Sequence, residues 1–310
     1  IIHDNQTIAD GVLDLQARGL PLVTTIHHPI TRDYRVALEA EPKWYMRLLI
    51  HRWHSFLLMQ KRVAPQLKSV VTVSSASATD ICTDFGVSPE AISVMHLGVD
   101  TTLFRPAPQI RREPHHLMTT ASADAPLKGL SYLLKAMALL RPEYPEMKLT
   151  LVGRPKPDGE TQRLIDALGL ADCIECCKGI SHEEMVEKYA FASVAVVPSM
   201  YEGFGLPAVE AMACGVPLVS TSGGALAEVV SDAALVVSPG DSDALAQQIR
   251  RLFDDQSLRA EYAARGLERV EQHFCWERCA ERMEAYCRER IASWSLSIST
   301  TLTCRAAMFS

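Results

Sequence analysis

No stretch of this chain reaches the ~18 consecutive apolar residues that a membrane-crossing helix requires, so a transmembrane protein is not expected. A basic excess is missing too: 31 Lys and Arg stand against 37 Asp and Glu, a formal charge of −6. Nucleic-acid binders show the opposite balance, so no nucleic-acid partner is expected. A small anionic ligand stays open, because a few placed cations suffice to hold one. The chain opens on Ile1 and lacks the charged-then-apolar pattern of a secretory signal, so a cytoplasmic fragment of a longer protein is expected. What is present is an ordinary globular composition, 48% apolar and 22% charged. Its 310 residues suffice for two domains.

Nine cysteines are an odd number in a chain too long to need staples. Cys173 and Cys176 form a C-x-x-C with Cys177 beside it, but no second pair stands at zinc-finger spacing. Cys275 and Cys279 are one helical turn apart. All are read as reduced thiols acting as small hydrophobes, with no metal and no disulfide.

Short β-rich runs alternate with helical patterns. Residues 20–27, 69–74 and 92–95 are candidate strands before a proline-rich stretch at 106–114. Candidates after it are 117–121, 148–152, 173–177, 194–198, 217–221 and 234–237. Apolar strands spaced by helices predict an α/β fold, doubly wound and parallel, covered on both faces. Two such domains follow: an incomplete one at 1–108 and a second at 109–290. The three strands of the first imply that about half of that domain lies outside the chain. The two would face each other across a cleft at their strand carboxyl ends. Residues 291–310 turn abruptly to Ser and Thr and are expected to be a disordered tail.

The densest chemical signal runs from Pro198 to Glu210, where a strand ends, a glycine-rich turn follows and a helix opens with Pro207, a residue suited to a first helical position. Gly203 and Gly205 allow close backbone approach, and the helix start offers N–H groups and a positive dipole end, which together make a diphosphate cradle. Glu210 is in reach of ribose hydroxyls, and Glu202 sits in the loop itself. A tight strand–helix turn, with Glu210 merely favourable near a helix start, accounts for the same residues without a ligand.

Glu202 and Glu210 form E-x7-E, and EGFGLPAVEAMACGVPLVSTSGG resembles the donor-site segment of glycosyltransferase family 4. Gly98-Val99-Asp100 with Phe104-Arg105-Pro106, Lys128-Gly129 before a helix, and Glu228-Val229-Val230 after Gly223-Gly224 are similar to that family as well. The resemblance covers roughly residues 1–290, most specifically in the second domain. It implies the GT-B architecture, two Rossmann-like domains, and metal-independent transfer of a hexosyl group from a nucleotide-diphosphate sugar with retention. No cofactor is implied beyond that donor, for which a uridine base is favoured; the acceptor would be a carbohydrate or a lipid-linked sugar. Glu210 would bind ribose and Glu202 the transferred sugar. The amides of Gly203, Phe204 and Gly205, with Leu206 following, would line the donor, and Lys128 would meet the leaving diphosphate. Where many relatives carry Arg six positions before that lysine, this chain has Ser122, a donor-site position whose lost cation Arg32, Arg35 or Arg154 would have to supply. Leu97 likewise stands where relatives often carry Asn.

His27, at a strand's carboxyl end, matches an active-site histidine of the family, with His28 as the fallback. His115 and His116 open a strand at the wrong end for a ligand. Asp241-Ser242-Asp243 has the form of a D-x-D metal motif but follows Pro-Gly before a helix, where Asp241 serves as an N-cap. Residues 43–64 mix cations with Trp44, Tyr45 and Trp53. Contact with anionic lipid at the inner membrane face is one reading; an amphipathic helix buried on its apolar side is the preferred one. A nucleotide-sugar epimerase of the same architecture and a non-catalytic nucleotide-sugar binding module remain as alternatives.

Overall fold

A computed structural model describes residues 1–121 and 124–307, without the side chains of Asp33, Ala40 and residues 295–307. The chain forms two compact units. The first joins Ile1–His96 with the chain from Glu277 onward, and the second is Leu97–Trp276.

The first unit runs β1 (Ile2–Asn5), α1 (Asp10–Ala17), β2 (Leu22–Thr25), α2 (Thr31–Ala40), α3 (Trp44–Trp53), α4 (Phe56–Val63), β3 (Val70–Thr72), α5 (Ser75–Phe85) and β4 (Ile92–Val94). Its strands pair in parallel in the order β1-β2-β3-β4. Ile8, Val12, Ile26, Leu57, Val70, Ile81 and Phe85 form the core. The strand β1 was not read from sequence. It lies at the sheet edge with His3 and Asn5 exposed, so no apolar run announces it. The expected continuous helix over 43–64 is two helices. It breaks at His54, whose Nδ1 lies 2.8 Å from the Ile50 carbonyl oxygen and so caps the end of α3.

The second unit runs β5 (His116–Thr120), α6 (Leu130–Leu140), β6 (Lys148–Val152), α7 (Glu160–Ala167), β7 (Ile174–Cys177), α8 (His182–Phe191), β8 (Val194–Val197), α9 (Leu206–Ala213), β9 (Leu218–Thr221), α10 (Leu226–Val230), β10 (Leu235–Val237), α11 (Ser242–Asp254) and α12 (Gln256–His273). Its six strands are parallel in the order β10-β9-β8-β5-β6-β7, as the six apolar runs predict. The chain winds outward from β5 in one direction and from β8 in the other, so the order reverses between these two. Six residues of α6, Leu130, Leu133, Leu134, Ala136, Met137 and Leu140, are buried, at the spacing of one helix face.

The division between units falls at His96 rather than in the proline-rich stretch. The physical reason is local: the amide of Val99 donates to the Phe274 carbonyl at 2.7 Å, and Phe104 is buried, which ties residues 97–105 to the second unit. Residues 291–307, expected to be a disordered tail, continue α13 (Trp276–Ala307) as helix. This helix is anchored earlier, where Tyr286 packs on Val23 and Val71 and shares a 2.7 Å hydrogen bond with Ser69. Once a helix is nucleated, Ser and Thr extend it at little cost.

Arg112 fastens the second unit behind its sheet. Its Nη1 donates to the carbonyls of Ala192 (2.7 Å) and Tyr189 (3.2 Å) at the end of α8, and its Nη2 to Gly215 (2.7 Å) and Cys214 (3.2 Å) at the end of α9. One guanidinium thus meets the negative ends of two helices that flank β8. Arg112→Met is expected to lower unfolding free energy by about 2–4 kcal/mol, because carbonyls bonded to a charge lose their donors. Arg112→Lys should recover only part of this, since an ammonium lacks the planar fork. Urea midpoints of the three proteins test it.

Candidate active site

Three loops meet at the carboxyl end of the second sheet, at the point where the strand order reverses. Open α/β sheets bind ligands at this position. The loop after β5 ends in a short turn, Pro126–Lys128, and the loop after β8 carries residues 198–205. The amide of Met200 donates to the Leu127 carbonyl at 2.8 Å, and the amide of Ala225 to the Glu202 carbonyl at 2.9 Å. Glu202 and Gly224 form an isolated parallel bridge.

This close lacing explains two glycines. A Cβ on Gly129 (φ +62°) would stand 2.0 Å from the Pro198 carbonyl oxygen. On Gly224 (φ +63°) it would stand 2.3 Å from that of Glu202. Only glycine accommodates both the left-handed backbone and the contact.

The lacing brings Lys128 and Glu202 together. Lys128 Nζ lies 2.8 Å from Glu202 Oε1, and Ser199 Oγ donates to the same oxygen at 2.8 Å. The glutamate side chain is 11% exposed and the lysine 32%, so the carboxylate is held inward while the ammonium reaches solvent. Ser199 was not singled out from sequence; its position three residues before Glu202, directly after the strand, was the available signal.

Gly203, Phe204, Gly205 and Leu206 lead from Glu202 into α9, with Gly205 as N-cap. The Phe204 ring is buried edge-on against Phe274 at 5.7 Å, so only its backbone remains for a ligand. Glu210, one turn further, accepts from the Tyr189 hydroxyl at 3.2 Å. Tyr189 itself is buried, and on sequence it is indistinguishable from any helix core aromatic. Burial pushes the Glu210 carboxyl above its ordinary range, offset in part by the Tyr189 hydrogen bond and by His182.

The other expected residues belong to other segments of the chain. His27 follows β2 in the first unit, with Nε2 2.9 Å from Asn5 Oδ1 and its amide donating to Gln6 Oε1 at 3.0 Å. Burial, then the neighbours His28 and His3, hold its pKa below the usual imidazole value, so the ring is neutral near pH 7. Ser122 lies outside the described residues. Of the cations considered in its place, Arg32 and Arg35 belong to the first unit, where they pair with Asp80 at 3.7 Å and Asp84 at 2.8 Å. Arg154 is exposed on the loop after β6, the strand paired with β5. Asp241 accepts from the Ala244 amide at 2.8 Å as the N-cap of α11. His116 is buried against Thr150 at 2.8 Å. Burial raises the thiol pKa of Cys173, Cys176 and Cys177, away from the thiolate that a metal would need.

Residues 106–269 match the group 1 glycosyl transferases, and residues 1–103 match Glycosyltransferase Family 4. The chain is 45% identical over 295 residues to the MMP α-(1→4)-mannosyltransferase of Mycolicibacterium hassiacum, covering 94% of this chain and 71% of that one. It is 40% identical over 167 residues to the O-antigen chain mannosyltransferase B of Escherichia coli, covering 52% and 43% of the two chains. Among solved structures, the sucrose-phosphate synthase of Thermosynechococcus elongatus superposes with a TM-score of 0.74 at 27% identity, over 94% of this chain and 74% of that one. Anabaena Alr3699/HepE has a TM-score of 0.75 at 20% identity, over 93% and 79%, a likeness of fold. The two parallel sheets have the GT-B architecture, that of a glycosyltransferase. The chain belongs to glycosyltransferase family 4, group 1. The epimerase and binding-module alternatives find no support in these relatives.

The buried carboxyl of Glu210 has a thermodynamic consequence. With its pKa raised in the folded state, the native protein holds the proton to higher pH than the unfolded chain does. The group's contribution is therefore most favourable at low pH and declines as pH rises from the unfolded value toward the folded one. Glu210→Gln keeps the acceptor for Tyr189 and cannot ionise. It should be more stable than the parent at pH 7, with the gain vanishing below the ordinary carboxyl range; urea midpoints between pH 4 and pH 8 measure it.

Proposed function

We propose that the protein transfers a hexosyl group from a nucleoside diphosphate sugar to a carbohydrate or lipid-linked acceptor, with retention at the anomeric carbon and without a metal ion. Mannose is the sugar to expect, from the names of the two relatives at 45% and 40% identity. Uridine remains the base to test first. The observation that carries this reading is the Lys128–Glu202 ion pair at the sheet's switch point, 2.8 Å long and backed by Ser199.

Negative charge grows on the diphosphate as the glycosidic bond breaks. Lys128 and the amides at the start of α9 would take that charge up, the work a metal ion does in other designs. Donor entry would exchange the partner of Lys128 from Glu202 to phosphate and turn the Glu202 carboxylate over to the sugar hydroxyls. Glu210 would accept from ribose, exchanging a half-buried, poorly solvated state for a fully bonded one. Arg154 is the candidate for the cation that Ser122 does not provide. His27, kept neutral, can donate to or accept from a sugar hydroxyl.

Mannose diphosphonucleosides of each base, added singly, should raise the melting temperature for the true donor. Nucleotide should be released only when a manno-oligosaccharide acceptor is present. Lys128→Ala should fold normally and transfer about 10²–10³-fold more slowly. NMR of the product should show the anomeric configuration of the donor. Unchanged turnover in Lys128→Ala overturns the site, donor binding without release in any acceptor overturns transfer, and an inverted product overturns retention alone.

A further inference from the structure

We propose that the outward face of α3, continued by Leu58 of α4, docks on an anionic lipid bilayer. A surface helix of a globular protein turns its apolar arc inward. In α3 the arc is reversed: no residue of the helix is buried. Trp44, Leu48, Tyr45, Leu49 and Trp53 follow one another around roughly half of the helix circumference, at about 100° per residue. All five are exposed, Trp44 at 72% and Trp53 at 79%, and Leu58 adds a further 78% exposed side chain. Burial of this face, preferred from sequence, is thus corrected by the structure.

Charge selects the occupant. Between Glu41 and Asp80 there is no acidic residue, while Lys43, Arg47, Arg52, Lys61, Arg62 and Lys68 fall in the same stretch. Arg62 is paired with Asp10 and Arg47 donates to the Leu38 carbonyl. Lys43, Arg52 and Lys61 form no ion pair among the described residues. A cavity of about 460 Å³ opens beside the face, lined by Arg35, His51, His54, Lys61, Leu57 and Leu58 among others. Its one carboxylate, Asp84, already accepts from Thr31 and Arg35. Indole rings and leucines ringed by cations match the headgroup boundary of a bilayer, where apolar burial and attraction to anionic lipid add. A second copy of the chain would set the same cations against one another across a two-fold axis, which disfavours it.

The test needs neither donor nor acceptor, so its outcome is separate from that of the transfer reading. The 310-residue protein is floated with vesicles of phosphatidylcholine, with or without phosphatidylglycerol. It should rise with the anionic vesicles only, with tryptophan emission shifting to the blue and binding falling as salt is added. Arg52→Gln and Lys61→Gln should each weaken binding about fivefold. Leu49→Ser with Trp53→Ser should abolish it, with circular dichroism unchanged. Three results overturn the proposal: no flotation with either vesicle, equal flotation with both, or a solution dimer that Trp53→Ser dissolves.

Discussion

The amide of Met200 reaches the Leu127 carbonyl at 2.8 Å, and the bridge between Glu202 and Gly224 binds the next loop to the same segment. These backbone contacts lace the ends of β5, β8 and β9 into one platform. A lysine from the first loop and a glutamate from the second would otherwise belong to segments seventy residues apart, each free to move. Loop closure at that separation costs chain entropy, and the main-chain bonds supply it before any ligand arrives. The ion pair is therefore a consequence of the lacing. An isolated, partly exposed pair would add little stability by itself, so its position follows from the main-chain lacing rather than from its own energy.

The platform is in turn held from behind by arginines on helix carboxyl ends. Arg112 joins α8 and α9, Arg259 donates to the carbonyls of Leu252 and Phe253 at the end of α11, and Arg269 to those of Glu228 and Val229 at the end of α10. Each removes the orphan acceptors that a helix end leaves and sets a cation against the negative dipole. The helices are thereby fixed at their carboxyl ends, and the amino end of α9 opens from the loop that follows β8.

The second unit was largely legible from sequence because its strands are buried on both faces and read as short apolar runs. At Gly129, Gly205, Gly223 and Gly224 an added Cβ would meet a neighbouring segment within 3 Å, so these glycines mark where the chain passes closely. Glu202, Glu210 and Lys128 were singled out from their spacing and from the family resemblance, and the structure sets Lys128 against Glu202. Tyr189 was missed because a tyrosine on a helix core face carries no signal of its own, and Ser199 because its one signal, a place just after a strand, fits an ordinary loop serine equally well. The first unit was harder: β1 is a polar edge strand, and its pairing with β2 is decided by contacts far away in sequence. The reversal of α3 was invisible for a related reason. Amphipathic spacing shows that a helix has an apolar side and leaves open which way that side faces.

Net charge conceals a similar asymmetry. A total of −6 excludes a uniformly basic surface, yet a stretch of six Lys and Arg without a single carboxylate exists within it. The arginines of the second unit at helix ends are committed to internal carbonyls, which fixes their side chains against the fold. Arg47 and Arg62 have partners within the fold, whereas Lys43, Arg52 and Lys61 form no ion pair among the described residues. Electrostatic attraction falls off within a Debye length, about 8 Å at physiological salt. A flat anionic surface therefore senses the local patch and not the distant acids that set the total. A protein acidic on average can in this way present one face to an acidic membrane, provided the apolar residues that complete the contact lie on that same face. In α3 they do.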